Sequence, residues 1–531
     1  MRGRLLFLIL CLLWLPWLGE TPFFTKGEPR EALVAVSMLQ SGDYVLPVIA
    51  GWEYPFKPPL LAWIIAAFAR IFNGGTVNEF ISRLPSALAA VAMVMALYGW
   101  VKRQRGERFA FLTAFITATS VEVFRAATAC RLDMLLTSAM VCGLLCLYNA
   151  YESGCMRKTF LWYAVAAGLL TCAVLTKGPV GALLPCLAMG IFRLFRRDSF
   201  FRILWQLSLV VLVSFIIPAV WYYEAWLRGG DAFLNIMMEE NFGRLLGKMS
   251  YESHVKPFWY NFLTIIVGLV PWTLLVIYSI PAVLRSSVRD AFRKISVPSV
   301  FVLICALTVI VFYCFPASKR SVYLLPAYPF MAYGIAALFL RYEHTTSVRL
   351  FRWTVIACAV VAPVCAFILS VTGYFAIGGF LAYSFLIICL ILGVTVAFST
   401  RLRKMCNTQN VLIFIILTCV SAVVMPSLYR NPLKTDDAKN LFEDIEKNRP
   451  GVYTIGTEQL EGQVYWFNYY LSNTLRRIPE INCLSESPAG TVVILPVTDE
   501  IEPIRESGLW DIRQLPFNPD TRAPVFFLIH R

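Results

Sequence analysis

The chain has 531 residues, of which 58% are hydrophobic and only 15% charged, with a mean hydropathy of +0.66. Soluble domains run about 45–50% apolar and about 25% charged, so a single large water-soluble core is excluded. The net charge of +14 would suit nucleic acid in a soluble protein. Here the Lys and Arg occupy short gaps between apolar runs, where they orient membrane spans, and nucleic acid is not an expected partner.

Met1-Arg-Gly-Arg followed by Leu5 to Leu18 looks like a signal peptide, but no small-x-small cleavage site follows. It reads as an uncleaved first span with its Arg2/Arg4 end in the cytoplasm. Further apolar runs occupy 84–101, 109–121, 133–150, 160–176, 179–193, 204–225, 259–283, 298–315, 323–340, 351–371, 377–399 and 409–426. With 5–19 that makes about thirteen spans. Basic gaps at 102–108, 157–158, 193–202, 285–294, 341–349 and 401–404 alternate with gaps near 177 and 372–376 that carry almost no charge. The alternation predicts a cytoplasmic N-terminus and an outward C-terminus.

Three segments then face outward. The first, 20–83, is amphipathic, with Ala32–Leu39 and Leu60–Phe72 as candidate interfacial helices. The second, 226–258, is a charged loop that includes Glu239, Glu240 and His254. In the third, 427–531, Val452-Tyr-Thr-Ile, Val492-Val-Ile-Leu and Val525-Phe-Phe-Leu-Ile read as strands and Gln459–Leu471 as helix. The expected architecture is an all-α polytopic membrane domain over 1–426 with a small C-terminal α/β domain over 427–531. Of fifteen cysteines, most (Cys142, Cys146, Cys305, Cys314, Cys358 and Cys389 among them) lie in apolar runs as small hydrophobes. No Cys-x-x-Cys pair occurs and the tail holds only Cys483, so no disulfide framework is expected.

Five charged motifs and one histidine could carry chemistry. In Lys26-Gly-Glu-Pro-Arg-Glu31, Glu28 can act as general base or orient an acceptor, while Arg30 can grip a phosphate in bidentate fashion. The plainer reading is a solvated turn opening a helix at Pro29. In Tyr54-Pro-Phe-Lys-Pro-Pro-Leu60 the prolines fix the height of Lys57, as a phosphate site needs, although a snorkelling lysine has the same pattern. Arg131 and Asp133 stand at the mouth of a span, where a charge must be paired or functional. Lys177 is the one charge in the tight turn Leu175-Thr-Lys-Gly-Pro179. Lys319 and Arg320 break the positive-inside rule, and an outward anionic ligand is one reason to place them there, an interfacial anchor another. His254 has no second His at ligand spacing, so a closed His-type metal site is excluded; a divalent cation held by carboxylate oxygens stays open. Cations and carboxylates gathered at bilayer-surface height suit a phosphate-linked lipid substrate: the cations hold the leaving phosphate and the carboxylates activate the acceptor.

The motifs Glu28-Pro-Arg30, Ser41-Gly-Asp-Tyr, Tyr54-x-x-Lys-Pro-Pro59, Arg131-Leu-Asp133, Leu175-Thr-Lys-Gly178, His254-x-Lys-Pro-Phe-Trp259 and Ser318-Lys-Arg-x-x-Tyr-Leu-Leu-Pro326 resemble, in order, those of the bacterial aminoarabinose (4-amino-4-deoxy-L-arabinose) transferases. These belong to family 39 of protein-mannosyltransferase-like enzymes, with the GT-C fold. The resemblance implies an inverting glycosyltransferase at the periplasmic face of the bacterial inner membrane. Its donor would be an undecaprenyl-phosphate sugar and its acceptor lipid A or another envelope molecule. Transfer to protein is the nearest alternative, and a lipid-linked sugar transporter or flippase the more distant one. On the same basis Glu28 and Asp133 are the implied catalytic carboxylates. Arg30, Lys57, Arg131, Lys177, Lys319 and Arg320 are the implied phosphate-binding set. Two positions depart from the family: Gly27 stands where it has Asp, and Phe56 where it has a Glu that contacts metal.

Overall fold

Long runs rich in Leu, Ala, Val and Ile, broken only where Gly, Pro or charges cluster, dictate a helical chain. The computed structural model describes residues 2–19, 23, 27–49, 55, 57–243, 255–285 and 295–355, with 453–455, 469, 475–477, 492–496, 505–515 and 525–530 of the tail. The helices are α1 Arg2–Trp14, α2 Gly27–Ser41, α3 Leu60–Phe72, α4 Glu79–Arg105, α5 Glu107–Thr119, α6 Val121–Ala127, α7 Leu132–Glu152, α8 Met156–Lys177, α9 Val180–Phe195, α10 Phe200–Met238, α11 Tyr260–Gly268, α12 Trp272–Arg285, α13 Val297–Phe312 and α14 Tyr328–Arg341. Among the described residues five helices are long and apolar enough to cross a membrane, or up to seven if each bent pair is one span. The runs expected at 377–399 and 409–426 lie outside the described residues.

The span expected over 259–283 is broken, and the one expected over 109–121 turns sharply at its end. Thr119 and Val121 flank a 68° bend between α5 and α6, and α11 and α12 meet at 104°. The breaks satisfy each other: the Val121 N–H donates to the Val270 carbonyl at 3.2 Å and the Trp272 Nε1–H to Thr119 Oγ1 at 2.9 Å. Irregular backbone at membrane depth is tolerated only with such partners. The segment 226–258 also differs from expectation, being helical rather than a loop through its first half. α10 runs to Met238 with a kink at Gly230 (φ 57°), and a π-helical turn covers Glu239–Gly243. Trp221, Ala225, Phe233 and Met237 recur at helical spacing and are buried together with Leu46, which holds this extension down.

The main core is knotted by aromatic rings from four helices. Trp100 (α4) lies 5.1 Å from Tyr148 (α7), which lies 4.6 Å from Phe301 (α13); Phe192 (α9) is 5.3 Å from Phe301. α8 and α9 approach so closely that a Cβ on Gly181 would sit 2.5 Å from the Ala173 carbonyl carbon, a backbone atom. Gly181→Val is therefore expected to push the two helices apart at a cost of about 1–3 kcal/mol or more. Its thermal midpoint in detergent should fall by several degrees, and an unchanged midpoint would refute the close packing.

The helices expected over Ala32–Leu39 and Leu60–Phe72 are present as α2 and α3. α2 and α3 bury Leu33, Met38, Leu61 and Ile65 against Ile81 and Leu132, forming a second core over the N-terminal ends of α4 and α7. In the tail a five-stranded sheet has the order β2-β1-β3-β5-β4, with β1 Tyr453–Ile455, β2 Leu475–Arg477, β3 Val492–Pro496, β4 Trp510–Leu515 and β5 Val525–His530. β1, β3 and β5 fall on the three expected strands. β1 is parallel to both neighbours, whereas β3, β5 and β4 are antiparallel. A parallel pair cannot close with a tight turn and needs a crossover. The helix expected at 459–471 lies outside the described residues except for Tyr469, which is helical.

Candidate active site

The site is built where α2, α3 and the N-terminus of α7 meet. A small pocket opens there, lined by Arg30, Glu31, Ile49, Lys57, Leu61 and Leu132, among others. Pro58 and Pro59 set the chain just before α3 and leave Lys57 half-buried at the cavity wall. Its ammonium pairs with the Glu240 carboxylate from the π-helical turn after α10. Arg30 donates to the Glu31 carboxylate at 2.9 Å.

Glu28, the first expected catalytic carboxylate, is 0% exposed. Its Oε1 accepts from Arg83 Nε at 2.9 Å and from the Cys130 N–H at 3.1 Å. Arg83, itself 2% exposed, also donates to the Leu18 carbonyl at 2.8 Å. Its guanidinium lies 5.2 Å from the Phe23 ring, which contacts Tyr469 at 4.7 Å. The Tyr469 hydroxyl donates to the Val77 carbonyl at 3.1 Å, tying the tail to this node. Glu28 thus clamps α2 to α4 and to the turn before α7 instead of facing the cavity.

Asp133, the second expected carboxylate, sits in the first turn of α7 and accepts from Lys177, the last residue of α8, at 2.5 Å. The Lys177 ammonium also lies 4.5 Å from the Tyr323 ring. The two motifs therefore form one ion pair. Arg131 caps α7 with extended backbone (φ −142°), and its carbonyl accepts from Ser86 Oγ at 3.2 Å. A Cβ on Gly27 would lie 3.9 Å from the Arg131 guanidinium, so α2 and α7 bring these positions together. Lys319 and Arg320 diverge. Lys319 is 6% exposed and its Nζ donates to the Pro316 carbonyl at 2.6 Å, closing its own loop. Arg320 is exposed and caps the 3-10 turn Ser321–Ala327. His254 and Phe56 lie outside the described residues. Among the described residues no three His, Cys, Asp or Glu side chains gather as a metal would need, and a Phe at 56 supplies no donor atom, so no step is derived through a metal.

Of the other participants, Glu31 and Glu240 were named in the sequence only as members of charged segments, and Arg83 was not named. Arg83 carried a usable signal, a lone cation inside the first turns of an apolar helix, which must have a partner.

The Ser41-Gly-Asp-Tyr motif is a turn that anchors α10. Gly42 adopts φ 74°, and the Asp43 carboxylate accepts from the Val45 and Leu46 N–H groups at 2.8 and 3.1 Å and from Arg228 at 2.6 Å. Partial burial pushes the Asp43 carboxyl up, but these donors outweigh it and hold it below the usual carboxylate range. A depressed folded value means the stabilisation is complete above the unfolded value of about 3.9 and fades as pH falls through the folded one. Asp43→Asn should therefore melt below wild type at neutral pH, and the gap should close below about pH 4. A gap that is constant down to about pH 3 would count against the pairing.

With this geometry in hand, the chain can be set beside known proteins. Residues 56–222 match the family of dolichyl-phosphate-mannose-protein mannosyltransferases. An uncharacterized protein of Aquifex aeolicus (strain VF5) is 29% identical over 352 residues, 65% of this chain and 66% of that one. The undecaprenyl phosphate-alpha-4-amino-4-deoxy-L-arabinose arabinosyl transferase of Aeromonas salmonicida (strain A449) is 26% identical over 337 residues, 62% of this chain and 58% of that one. The chain thus spans less than two thirds of the length of these relatives. The crystal structure of ArnT from Cupriavidus metallidurans bound to undecaprenyl phosphate superposes with a TM-score of 0.75 at 19% identity, covering 99% of this chain and 97% of that one. The resemblance read from the ordered motifs is the one these comparisons return: the chain is similar in sequence to aminoarabinose transferases and shares the fold of the Cupriavidus metallidurans protein.

Proposed function

We propose that this protein is an inverting glycosyltransferase that takes a sugar from undecaprenyl phosphate and passes it to lipid A or another envelope acceptor at the periplasmic face of the inner membrane. The observation that carries this reading is the cavity under α2 and α3, where Arg30 and Lys57 stand on its wall beside a carboxylate. Cations at that height can hold a phosphate while the polyprenyl tail stays in lipid, and they stabilise the charge that develops on the departing phosphate. Arg131 at the α7 N-terminus adds a third cation near Gly27. The Asp133–Lys177 pair braces the ends of α7 and α8 beneath it. Glu28, held by Arg83, positions α2 so that Arg30 and Glu31 reach the cavity. Lys319 and Arg320 are proposed to order the loop that precedes α14.

The same reading makes 1–426 the catalytic membrane domain of about thirteen spans, with a cytoplasmic N-terminus. It makes 427–531 a periplasmic α/β domain, in keeping with the mixed sheet and its parallel β1–β3 pair. Transfer to protein is the second reading, favoured by the mannosyltransferase match over 56–222. Mass spectrometry of lipid A, envelope glycans and envelope proteins from cells with and without this protein tests both. A sugar lost from lipid A or glycan supports the first, and one lost from protein the second. Unchanged profiles would defeat the assignment.

A further inference from the structure

We infer that the chain holds an acidic phospholipid by its headgroup phosphate at the end of the bundle opposite the cavity, on the α9–α10 turn and the first turns of α8 and α10. The site needs only a bilayer around the chain and is independent of the transfer reading above. α7 starts beside the cavity at Leu132, and α8 returns to that level at Lys177, which is bonded to Asp133. The last turn of α7, the first of α8, the last of α9 and the first of α10 therefore gather at the far end. There Arg196 Nε donates to the Tyr151 hydroxyl at 3.4 Å. One turn further in, Arg193 donates to Gln206 Oε1 at 2.7 Å and the Tyr163 hydroxyl to the same oxygen at 3.3 Å, which fixes α8, α9 and α10 against one another.

Five cations are exposed at this end: Arg157, Lys158, Arg196, Arg197 and Arg202. The carboxylates of the same turns are already engaged, Asp198 by Arg193 at 2.8 Å and Glu152 by the Tyr148 hydroxyl at 3.0 Å and Gln104 at 2.6 Å. Arg157, Lys158, Arg197 and Arg202 make no ion pair or side-chain hydrogen bond among the described residues. Elsewhere at this end Arg103 has Asn149 at 3.3 Å and Arg108 has Glu343 at 2.6 Å. Orienting a span takes only the presence of cations; four left unpaired on one sector suit an anion from outside the chain. Arg197 adds a second reason. α9 ends with the Arg197 N–H on the Leu194 carbonyl at 2.9 Å and the Asp198 N–H on the Arg193 carbonyl at 3.1 Å, a Schellman motif. Its left-handed position, here at φ 64°, favours glycine, yet a long cationic side chain stands there.

The surrounding surface fits the rest of a lipid and has no use for a free phosphate. Arg157 and Phe160 are three residues apart on α8, and Arg202 and Trp205 on α10, so each cation has an exposed ring one turn, about 5 Å, deeper. Phe195, Phe200 and Phe201 are exposed around the turn between them. Guanidinium groups can grip the phosphate in bidentate fashion while the rings pack on the acyl chains below it.

The test titrates the full chain, purified in a neutral detergent, with phosphatidylglycerol, phosphatidylcholine or glycerol 3-phosphate and reads bound lipid by native mass spectrometry. Phosphatidylglycerol should bind at least about tenfold more tightly than phosphatidylcholine, and glycerol 3-phosphate should not displace it. Arg197→Gly and Arg202→Gln should each weaken phosphatidylglycerol binding about fivefold, and together about thirtyfold, the worth of one and of two cations against an anionic headgroup. Arg197→Gly should fold at least as well as wild type, because glycine suits that backbone, so a lost site is not mistaken for a lost fold. Arg349→Ala removes an exposed cation at the same end, outside the site, and should change the affinity by less than about twofold. Equal binding of the two lipids overturns the site, as does a loss in Arg349→Ala as large as in Arg197→Gly, or unchanged affinity in both site variants. Displacement by an equal concentration of glycerol 3-phosphate overturns the lipid and leaves a free phosphate as the ligand.

Discussion

Arg83→Met is expected to cost about 3–5 kcal/mol and to leave little folded protein, because it strands a carboxylate with no water to receive it. Glu28 and Arg83 are 0% and 2% exposed, and the pair joins α2 to α4. Without the guanidinium, the Glu28 carboxylate keeps the Cys130 N–H, and the Leu18 carbonyl loses the donor it has from Arg83. A buried charge losing its partner is among the few single changes that exceed 3 kcal/mol, and total stabilities run only about 5–15 kcal/mol. Glu28→Leu alone should also be harmful, since it takes the carboxylate from the buried guanidinium and leaves it the Leu18 carbonyl and the Phe23 ring. The double change Glu28→Leu with Arg83→Met should recover most of the loss, because paired charges in low dielectric often do no better than apolar groups of similar volume. Folded yield after size-exclusion chromatography and thermal midpoints of the four proteins check the cycle. A single Arg83→Met variant as stable as wild type would rule out the clamp.

The same pair shows what the sequence could and could not disclose. Hydropathy and basic gaps located the helices well because each signal is local: α4, α7, α8 and α9 lie within a few residues of the expected runs. α2 and α3 were legible as amphipathic stretches for the same reason. The bends at Ser120 and before Trp272 were not, because each break is stabilised by hydrogen bonds to the other, 150 residues or so away in the chain. Glu28 was picked out as a candidate catalytic carboxylate. Its orientation was hidden, since that depends on Arg83 lying 55 residues further on. Likewise Asp133 and Lys177 were found as separate motifs, and only the packing of α7 on α8 makes them one ion pair. Residue type and membrane height are written locally; the partner of each charge is a tertiary fact.

That distinction matters most at Lys57. As a phosphate-binding lysine it should be available, yet its ammonium is paired with Glu240, and the two side chains are 16% and 5% exposed. A phosphate that enters the cavity must compete with this carboxylate, and the bound state then leaves Glu240 facing a second anion. A ligand's apparent affinity is lowered by whatever must be displaced to admit it. Glu240→Gln removes the competitor and most of the repulsion while keeping the side chain's size, so undecaprenyl phosphate should bind about tenfold more tightly, a gain of about 1.4 kcal/mol. Lys57→Met should act in the opposite direction. It loses a charge-assisted contact worth about 1.5–3 kcal/mol, a drop in affinity of roughly ten- to a hundredfold. In the double variant, Glu240→Gln should give a smaller gain, because only the relief of repulsion remains once Lys57 is gone. Titration of the purified proteins with undecaprenyl phosphate reads all three. The sign at Glu240 is the decisive result: a carboxylate that merely braces the π-helical turn would, when neutralised, weaken binding, whereas one that occupies the place of the donor phosphate must strengthen it.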